Sequence, residues 1–374
     1  MRRQHARGGS KRESGLSLVE LLIAMTIGLL LLAGLTLIFV NSSEANRELQ
    51  KIAQQIENGR YATDIITQDL KLAGYYGHLH ESLPAPVAMP DPCDMATAKI
   101  QEALAYPVQG YRASTLATVP DTPDILATAC GAALLTAANL KAGSDILVVR
   151  RAHTVPISTA AGSAVTNEVY IQATGTQVEV QVGSAAKVLN GKASGGASSW
   201  WVNSGTPPTI PAPIRKLHTH VYFVAPCSAG GGAGGVCQAG DDTIPTLKRL
   251  ELGVGPAMTI VPLVEGIEHL KIEYGVDNSP ATVNPSTGLA GDASVDSYAT
   301  TPADWAQVIA AKVYILARNT LPTTGYVDDK TYLVGTAPGV AGTNLVAAPI
   351  DNFRRHVFSA AVRLINAAGR REIP

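Results

Sequence analysis

Residues 15–40 read GLSLVELLIAMTIGLLLLAGLTLIFV, and this stretch decides the architecture of the chain. From Leu16 to Val40 it contains 25 residues and a single charged side chain, Glu20. A helix of that length spans about 37 Å, which is more than the hydrocarbon core of a bilayer, about 30 Å thick. The stretch therefore predicts a helix that can cross a membrane.

The segment before this helix, residues 1–15, is basic: one acid, Glu13, stands against Arg2, Arg3, Arg7, Lys11 and Arg12. A basic flank keeps the N-terminus in the cytoplasm and sends the following chain outward, here across the inner membrane. The apolar run is longer than that of the usual secretory signal, which has about 7–15 residues, and no cysteine follows it to carry a lipid. We therefore expect a membrane anchor and an exported remainder.

Glu20 is the unusual residue of the span. A carboxylate deep in a bilayer costs about 2.5–3.5 kcal/mol, and less near the interface. One interpretation is that its side chain reaches the cytoplasmic headgroups. The other is that a cation neutralises it, and a new α-amine at Leu16, created by cleavage after Gly15 in a neighbouring subunit, would be such a cation.

Gly15 followed by Leu16-Ser17-Leu18-Val19-Glu20 resembles the processing site of type IV prepilins. The resemblance implies that the prepilin peptidase cleaves the Gly15–Leu16 bond, removing residues 1–15, and that Leu16 is N-methylated. It also implies that Glu20 contacts the amine of an adjacent subunit when pilin helices pack in a filament core. Leu16 departs from the commoner phenylalanine at this position.

The helix is expected to continue beyond the membrane. No proline occurs between Met1 and Pro84, and GYYG at 74–77 supplies a stop signal. Apolar residues recur at helical spacing at Leu49, Ile52, Ile56, Ile66, Leu70 and Ala73. We predict one helix over 16–74, with 16–40 in the membrane or filament core and the second half docked on a head; a coiled coil is the alternative for that half.

Residues 75–374 alternate strand-like segments with loops rich in small residues, and we expect them to form a periplasmic or extracellular head. The predicted strands are Asp145–Arg151, Glu168–Thr174, Gln177–Val182, His218–Ala225, Leu247–Val254, His269–Val276, Val308–Arg318 and Phe353–Asn366. The economical fold is α+β, an antiparallel sheet packed against the second half of the N-terminal helix. The loops 183–213, 226–245 and 278–304 are expected to be exposed.

Segments of the head resemble strands of PilW-type minor pilins: DILVVRRA (145–152), LVEGIEHLKIEYGVD (263–277), VIAAKVYILARN (308–319) and FRRHVFSAAVRLIN (353–366). The resemblance implies a structural, non-enzymatic subunit incorporated at low copy near the tip of a type IV pilus, where it helps to initiate assembly. Its partners would be the prepilin peptidase, the major pilin and other minor pilins, and pili of this kind drive twitching motility.

Four cysteines, Cys93, Cys130, Cys227 and Cys237, lie in the exported part. An even number in an oxidising compartment favours two disulfides, for which three pairings exist. We favour the neighbour pairing, Cys93–Cys130 and Cys227–Cys237, each bond contributing about 2–4 kcal/mol. A zinc site is disfavoured because the chain contains no Cys-x2-Cys.

Other chemistry finds little support. Lys and Arg number 29 against 30 Asp and Glu, so the chain lacks the basic excess of a nucleic-acid binder. His78/His80 and His218/His220 have no third metal ligand at a recognisable spacing, and Ser184-x-x-Lys187 lacks the companion motifs of penicillin-binding enzymes. Trp200-Trp201 is read as a sheet cap or a partner surface. No catalytic residue, metal or cofactor is expected.

Three alternatives remain open. A type II secretion pseudopilin of the J type shares the leader and similar strands. A pilus-tip adhesin is compatible with the leading interpretation. A membrane-tethered periplasmic enzyme or binding protein would need a ligand-binding or catalytic group that the sequence does not display.

Overall fold

The computed structural model describes residues 15, 17–157, 165–183, 212–279, 291–335, 345–347 and 350–372. The helices are α1 (Leu18–Leu72), α2 (Thr97–Ala103), α3 (Ala129–Ala133) and α4 (Ile365–Arg371). The strands are β1 (Val108–Tyr111), β2 (Ile146–Ala152), β3 (Val169–Ala173), β4 (Val178–Val182), β5 (Ile214–Ala225), β6 (Thr246–Leu252), β7 (Met258–Glu265), β8 (Ile267–Val276), β9 (Ser297–Ala299), β10 (Val308–Arg318), β11 (Thr331–Leu333), β12 (Leu345–Ala347) and β13 (Arg355–Arg363).

The chain divides into two compact units, and the boundary falls within α1, between Lys51 and Ile52. The first unit contains the apolar part of α1. The second unit contains the remaining part of α1, 52–72, together with the head.

The end of α1 follows from its sequence. Gly74 has a φ of 73°, the left-handed conformation that glycine adopts without a steric penalty just after a helix. Its N–H donates to the carbonyl of Arg150 in β2 at 2.9 Å. The stop signal read from the GYYG segment thus fixes the helix end to the edge of a strand.

The described residues of the head form two main antiparallel sheets. In the larger one the strands run in the order β1-β2-β5-β3-β4, and the long strand β5 also pairs with β6, which pairs with β7. The smaller one has the order β13-β10-β8-β9, and β11 pairs with β12 separately. Within the second unit, Ala62, Ile66 and Leu70 of α1 share one buried cluster with apolar residues of both main sheets.

The α+β prediction, a long N-terminal helix packed against antiparallel strands, is confirmed. The structure differs in having two main sheets where one was expected. The strand expected over Phe353–Asn366 ends at Arg363, and the chain then forms α4. Strand β7 was missed because Pro262 interrupts its pattern; β7 lies at the edge of its sheet, where a residue without an N–H is tolerated.

Candidate assembly site

The N-terminus of α1 is closed by a reciprocal pair of hydrogen bonds. The N–H of Ser17 donates to Oε2 of Glu20 at 2.9 Å, and the N–H of Glu20 donates to Oγ of Ser17 at 3.2 Å. This capping box satisfies two donors that a helix start leaves free. It also places the carboxylate of Glu20 at the positive end of the helix dipole. Glu20 is therefore part of the helix start, as well as being the single charge of the span.

Of the two residues expected to flank the cleaved bond, the structure describes only Gly15. Gly15 is exposed and precedes the first turn of α1. Leu16 lies outside the described residues. Cleavage between them and methylation of Leu16 remain predictions.

The apolar half of α1 has no partner among the described residues of its own unit. From Leu18 to Val40 its large apolar side chains are 45% to 74% exposed. By length and composition α1 qualifies as a membrane-crossing helix. An apolar surface of this extent marks contact with a lipid phase or with other apolar helices.

The second half of α1 buries a different kind of surface. Its buried residues are more often small or polar than large and apolar: Gln55, Gly59, Ala62, Ile66, Thr67, Asp69 and Leu70. The apolar stripe predicted from spacing is correct for Ile66 and Leu70. It is wrong for Leu49 and Ile56, which are 64% and 39% exposed.

Gly59 explains why the buried face of α1 differs from the predicted apolar stripe. A Cβ atom at this position would overlap the ring of Phe358, which stands on β13. Glycine here lets an aromatic side chain lie directly against the helix backbone. The sheet-facing side of α1 was hidden in the sequence because close approach requires small residues rather than large apolar ones.

Asp69 is the centre of a buried polar network that joins α1 to the larger sheet. One carboxylate oxygen accepts from Nε of Arg151 at 2.5 Å, and the other lies 2.7 Å from Nδ1 of His220 and accepts from the hydroxyl of Tyr222 at 2.9 Å. Burial alone raises the pKa of Asp69, but the bonds and charges of His220 and Arg151 hold it below its usual range. The carboxylate is ionised and fully engaged.

Other polar residues of α1 donate hydrogen bonds to backbone carbonyls of the head. Nε2 of Gln55 donates to the carbonyls of Ala317 and Arg354 at 2.8 and 3.0 Å. Nδ2 of Asn58 donates to the carbonyl of Glu265 at 3.0 Å. The sequence did not mark these residues as buried, because polar side chains on a helix usually face water. The one feature that could have indicated contact with the head is their position between Ile52 and Ile66 on the helix.

The four cysteines form two disulfides, Cys93–Cys130 and Cys227–Cys237, whose partners are 37 and 10 positions apart in the sequence. These are the neighbour pairs favoured from the sequence. Asp91 supports the first bond: one of its oxygens accepts from the N–H of Cys93 at 2.8 Å and the other from the N–H of Ala129 at 2.6 Å. The second bond lies in a buried cluster beneath the larger sheet.

The histidine pairs do not assemble a metal centre among the described residues. His218 and His220 share a face of β5, but His220 is bonded to Asp69. The described side chains close enough to hold an ion are Asp91, Cys93 and Cys130, and both sulfurs are used by the disulfide. Ser184, Lys187 and Trp200-Trp201 lie outside the described residues.

Two family models match the chain. One, described as type IV pilus-assembly protein W (PilW), matches residues 221–366. The other, described as the prokaryotic N-terminal methylation motif, matches residues 10–36. No curated protein and no solved structure gives a significant match. The resemblance read from the N-terminal segment and from the late strands is confirmed by these two matches.

Proposed function

We propose that this chain, a PilW-family type IV pilin with a prepilin-type N-terminus, is a minor pilin that is incorporated at low copy near the pilus tip and helps to initiate assembly. Before assembly, 16–40 anchors it in the inner membrane with the N-terminus cytoplasmic and the head, 75–374, periplasmic. The prepilin peptidase removes 1–15, and Leu16 is methylated. The role is structural rather than enzymatic, and its partners are the major pilin and other minor pilins.

The observation that carries this proposal is the exposed apolar half of α1 headed by Glu20. The same surface serves two environments, lipid before assembly and neighbouring pilin helices afterwards, because both are apolar. A soluble enzyme has no use for such a surface, whereas a subunit extracted from the membrane into a filament needs it.

Glu20 supplies the specificity of this packing. Its Oε2 is used by the capping box, and Oε1 has no hydrogen-bond partner among the described residues. Once surrounded by apolar helices, an unpaired carboxylate is costly, so the register in which a neighbour's α-amine reaches Oε1 is preferred. Removing the charge removes that preference without touching the head.

The test is the recovery of variants in sheared pili. Glu20→Ala and Glu20→Gln are expected to accumulate in the membrane at normal levels but to be strongly reduced in filaments. Glu20→Gln keeps an oxygen that can accept from Ser17, so its failure assigns the defect to the charge and not to the helix cap. Glu44→Ala, which removes another exposed acid of α1, is the matched control and should assemble normally. Normal recovery of both Glu20 variants would contradict the proposal.

The methylation motif alone also fits a J-type pseudopilin of type II secretion. Deleting the gene separates the two functions: a minor pilin is required for surface pili and twitching, and a pseudopilin for release of secreted proteins. We expect loss of pili with secretion intact.

A further inference from the structure

Lys271 and Asp145 form a buried ion pair where the two main sheets of the head meet. Nζ of Lys271 lies 2.8 Å from Oδ1 of Asp145, and the two side chains are 9% and 6% exposed. Lys271 is on β8 of the smaller sheet, and Asp145 immediately precedes β2 of the larger sheet. The pair therefore connects the two main sheets.

The carboxyl group of Asp145 is held in place from both sides. Oδ1 accepts from the N–H of Ala113 at 3.1 Å as well as from Lys271, and Oδ2 accepts from the N–H of Ile272 at 3.2 Å. The backbone N–H of Asp145 donates to the carbonyl of Leu270 at 2.8 Å. The amine of Lys271 is thus held close to the carboxyl carbon of Asp145, which is one bond beyond Oδ1. Holding two reacting groups together in this way makes their reaction effectively intramolecular.

The surroundings favour the uncharged form of the carboxyl group. Burial raises the pKa of Asp145, against the opposing effect of Lys271. The small space that the described residues Arg112, Asp145, Lys271 and Glu273 help to enclose has no room for a water molecule. A desolvated lysine amine is a competent nucleophile, because proton transfer to a neighbouring carboxylate leaves its lone pair free.

A second carboxyl group stands beside the pair. Glu273 is two residues from Lys271 on the same face of β8, is 4% exposed, and lines the same space. The hydroxyl of Tyr314 donates to its Oε2 at 3.2 Å. A buried carboxyl at this position can carry the proton that an amine must lose and a leaving oxygen must gain.

We propose that Lys271 and Asp145 condense to an amide, so that an intramolecular isopeptide bond joins the two sheets, with Glu273 transferring the proton. In the neutral pair, Nζ bonds to Cγ of Asp145 and the C–Oδ1 bond breaks. Oδ1 leaves as water with the acid proton and one amine hydrogen. Oδ2 becomes the amide oxygen, and the N–H of Ile272 stabilises the charge that develops on it. No oxidant or co-reactant is consumed.

Such a bond would hold the two main sheets together when a pulling force acts on the head. Hydrogen bonds and apolar contacts between the sheets separate when the chain is pulled, whereas an amide does not. The exposed pair Lys216–Glu168 is the internal control: its atoms are 2.7 Å apart, but Lys216 is 36% exposed, so the charged forms stay solvated and no condensation is expected.

Mass spectrometry of the full-length protein, extracted from membranes and reduced, tests the proposal. Wild type is expected to be lighter by one water molecule than the reduced mass calculated for its processed N-terminus, methylated Leu16. A proteolytic digest should contain one species joining the Asp145 and Lys271 peptides. Glu273→Gln and Lys271→Arg should both restore the full mass, while Lys216→Arg should leave the loss unchanged. A wild-type protein of full mass with a free Lys271 peptide would show an ion pair only and overturn the proposal. A linked Glu273→Gln variant would overturn the role of Glu273.

Discussion

The two halves of α1 form one continuous helix, yet one exposes apolar side chains and the other buries small and polar ones. Between Leu18 and Val40 the large apolar side chains are 45% to 74% exposed. Between Ile52 and Leu72 the helix buries Gly59, Ala62 and Asp69 along with its few apolar residues. Hydrophobicity therefore marks the half that is exposed, and small or hydrogen-bonded residues mark the half that packs against the head of its own chain.

The largest effect on stability is expected from removing Asp69, the polar centre of the second half. Asp69→Ala leaves Arg151, His220 and Tyr222 without their acceptor in a buried site, and we expect a loss of about 3–5 kcal/mol in the free energy of unfolding. Denaturant unfolding of the full-length protein in detergent measures it. Asp64→Ala, at an exposed position of the same helix, should change stability by no more than about 0.5 kcal/mol. Equal effects of the two variants would refute the assigned role of Asp69.

A smaller effect on stability is expected from enlarging Gly59, which packs against the ring of Phe358. Gly59→Leu forces Phe358 to move and should destabilise the head by about 1–3 kcal/mol. Gly34→Leu is the matched change in the first half, where nothing lies within 4 Å of an added Cβ, and it should leave head stability unchanged. Both are read from the same unfolding curves. A harmless Gly59→Leu would mean that α1 does not approach β13 closely in solution.

The smallest effect, at mildly acidic pH, is expected from His218 on β5, two residues before His220, which contacts Asp69 of the second half. Burial, with the nearby charge of Arg151, lowers the pKa of His218 to about 3, and His220, His153 and Lys216 act in the same direction. The unfolded chain takes up the proton near pH 6.5 and the folded chain does not, so stability falls as the pH drops from about 6.5 towards 3. His218→Gln should flatten this part of the stability profile, and the exposed His78→Gln should not. An unchanged profile for His218→Gln would exclude His218 as the group responsible.

Much of the fold was readable from local pattern, because its signals are local. The start of α1, its end near Gly74 and the bounds of β10 follow from charge, glycine and alternating apolar residues. The division into two sheets was not readable. It depends on pairings between residues far apart in the chain, such as Lys271 with Asp145, which no local pattern records.

The candidate site divides in the same way. Gly15, Leu16 and Glu20 form a contiguous motif, and the sequence alone marked them. Asp69 was not singled out, because its partners lie 82 to 153 positions away and a polar residue on a helix normally faces water. The capping role of Glu20 was also missed, although Ser17-x-x-Glu20 has the spacing of a capping box.

The central claim is that α1 begins at a processed, methylated residue and enters a filament. The most direct test is the N-terminal mass of the protein recovered from sheared pili. The account predicts a chain that starts at N-methylated Leu16, lacking residues 1–15. A filament-associated chain that still begins at Met1 would contradict it.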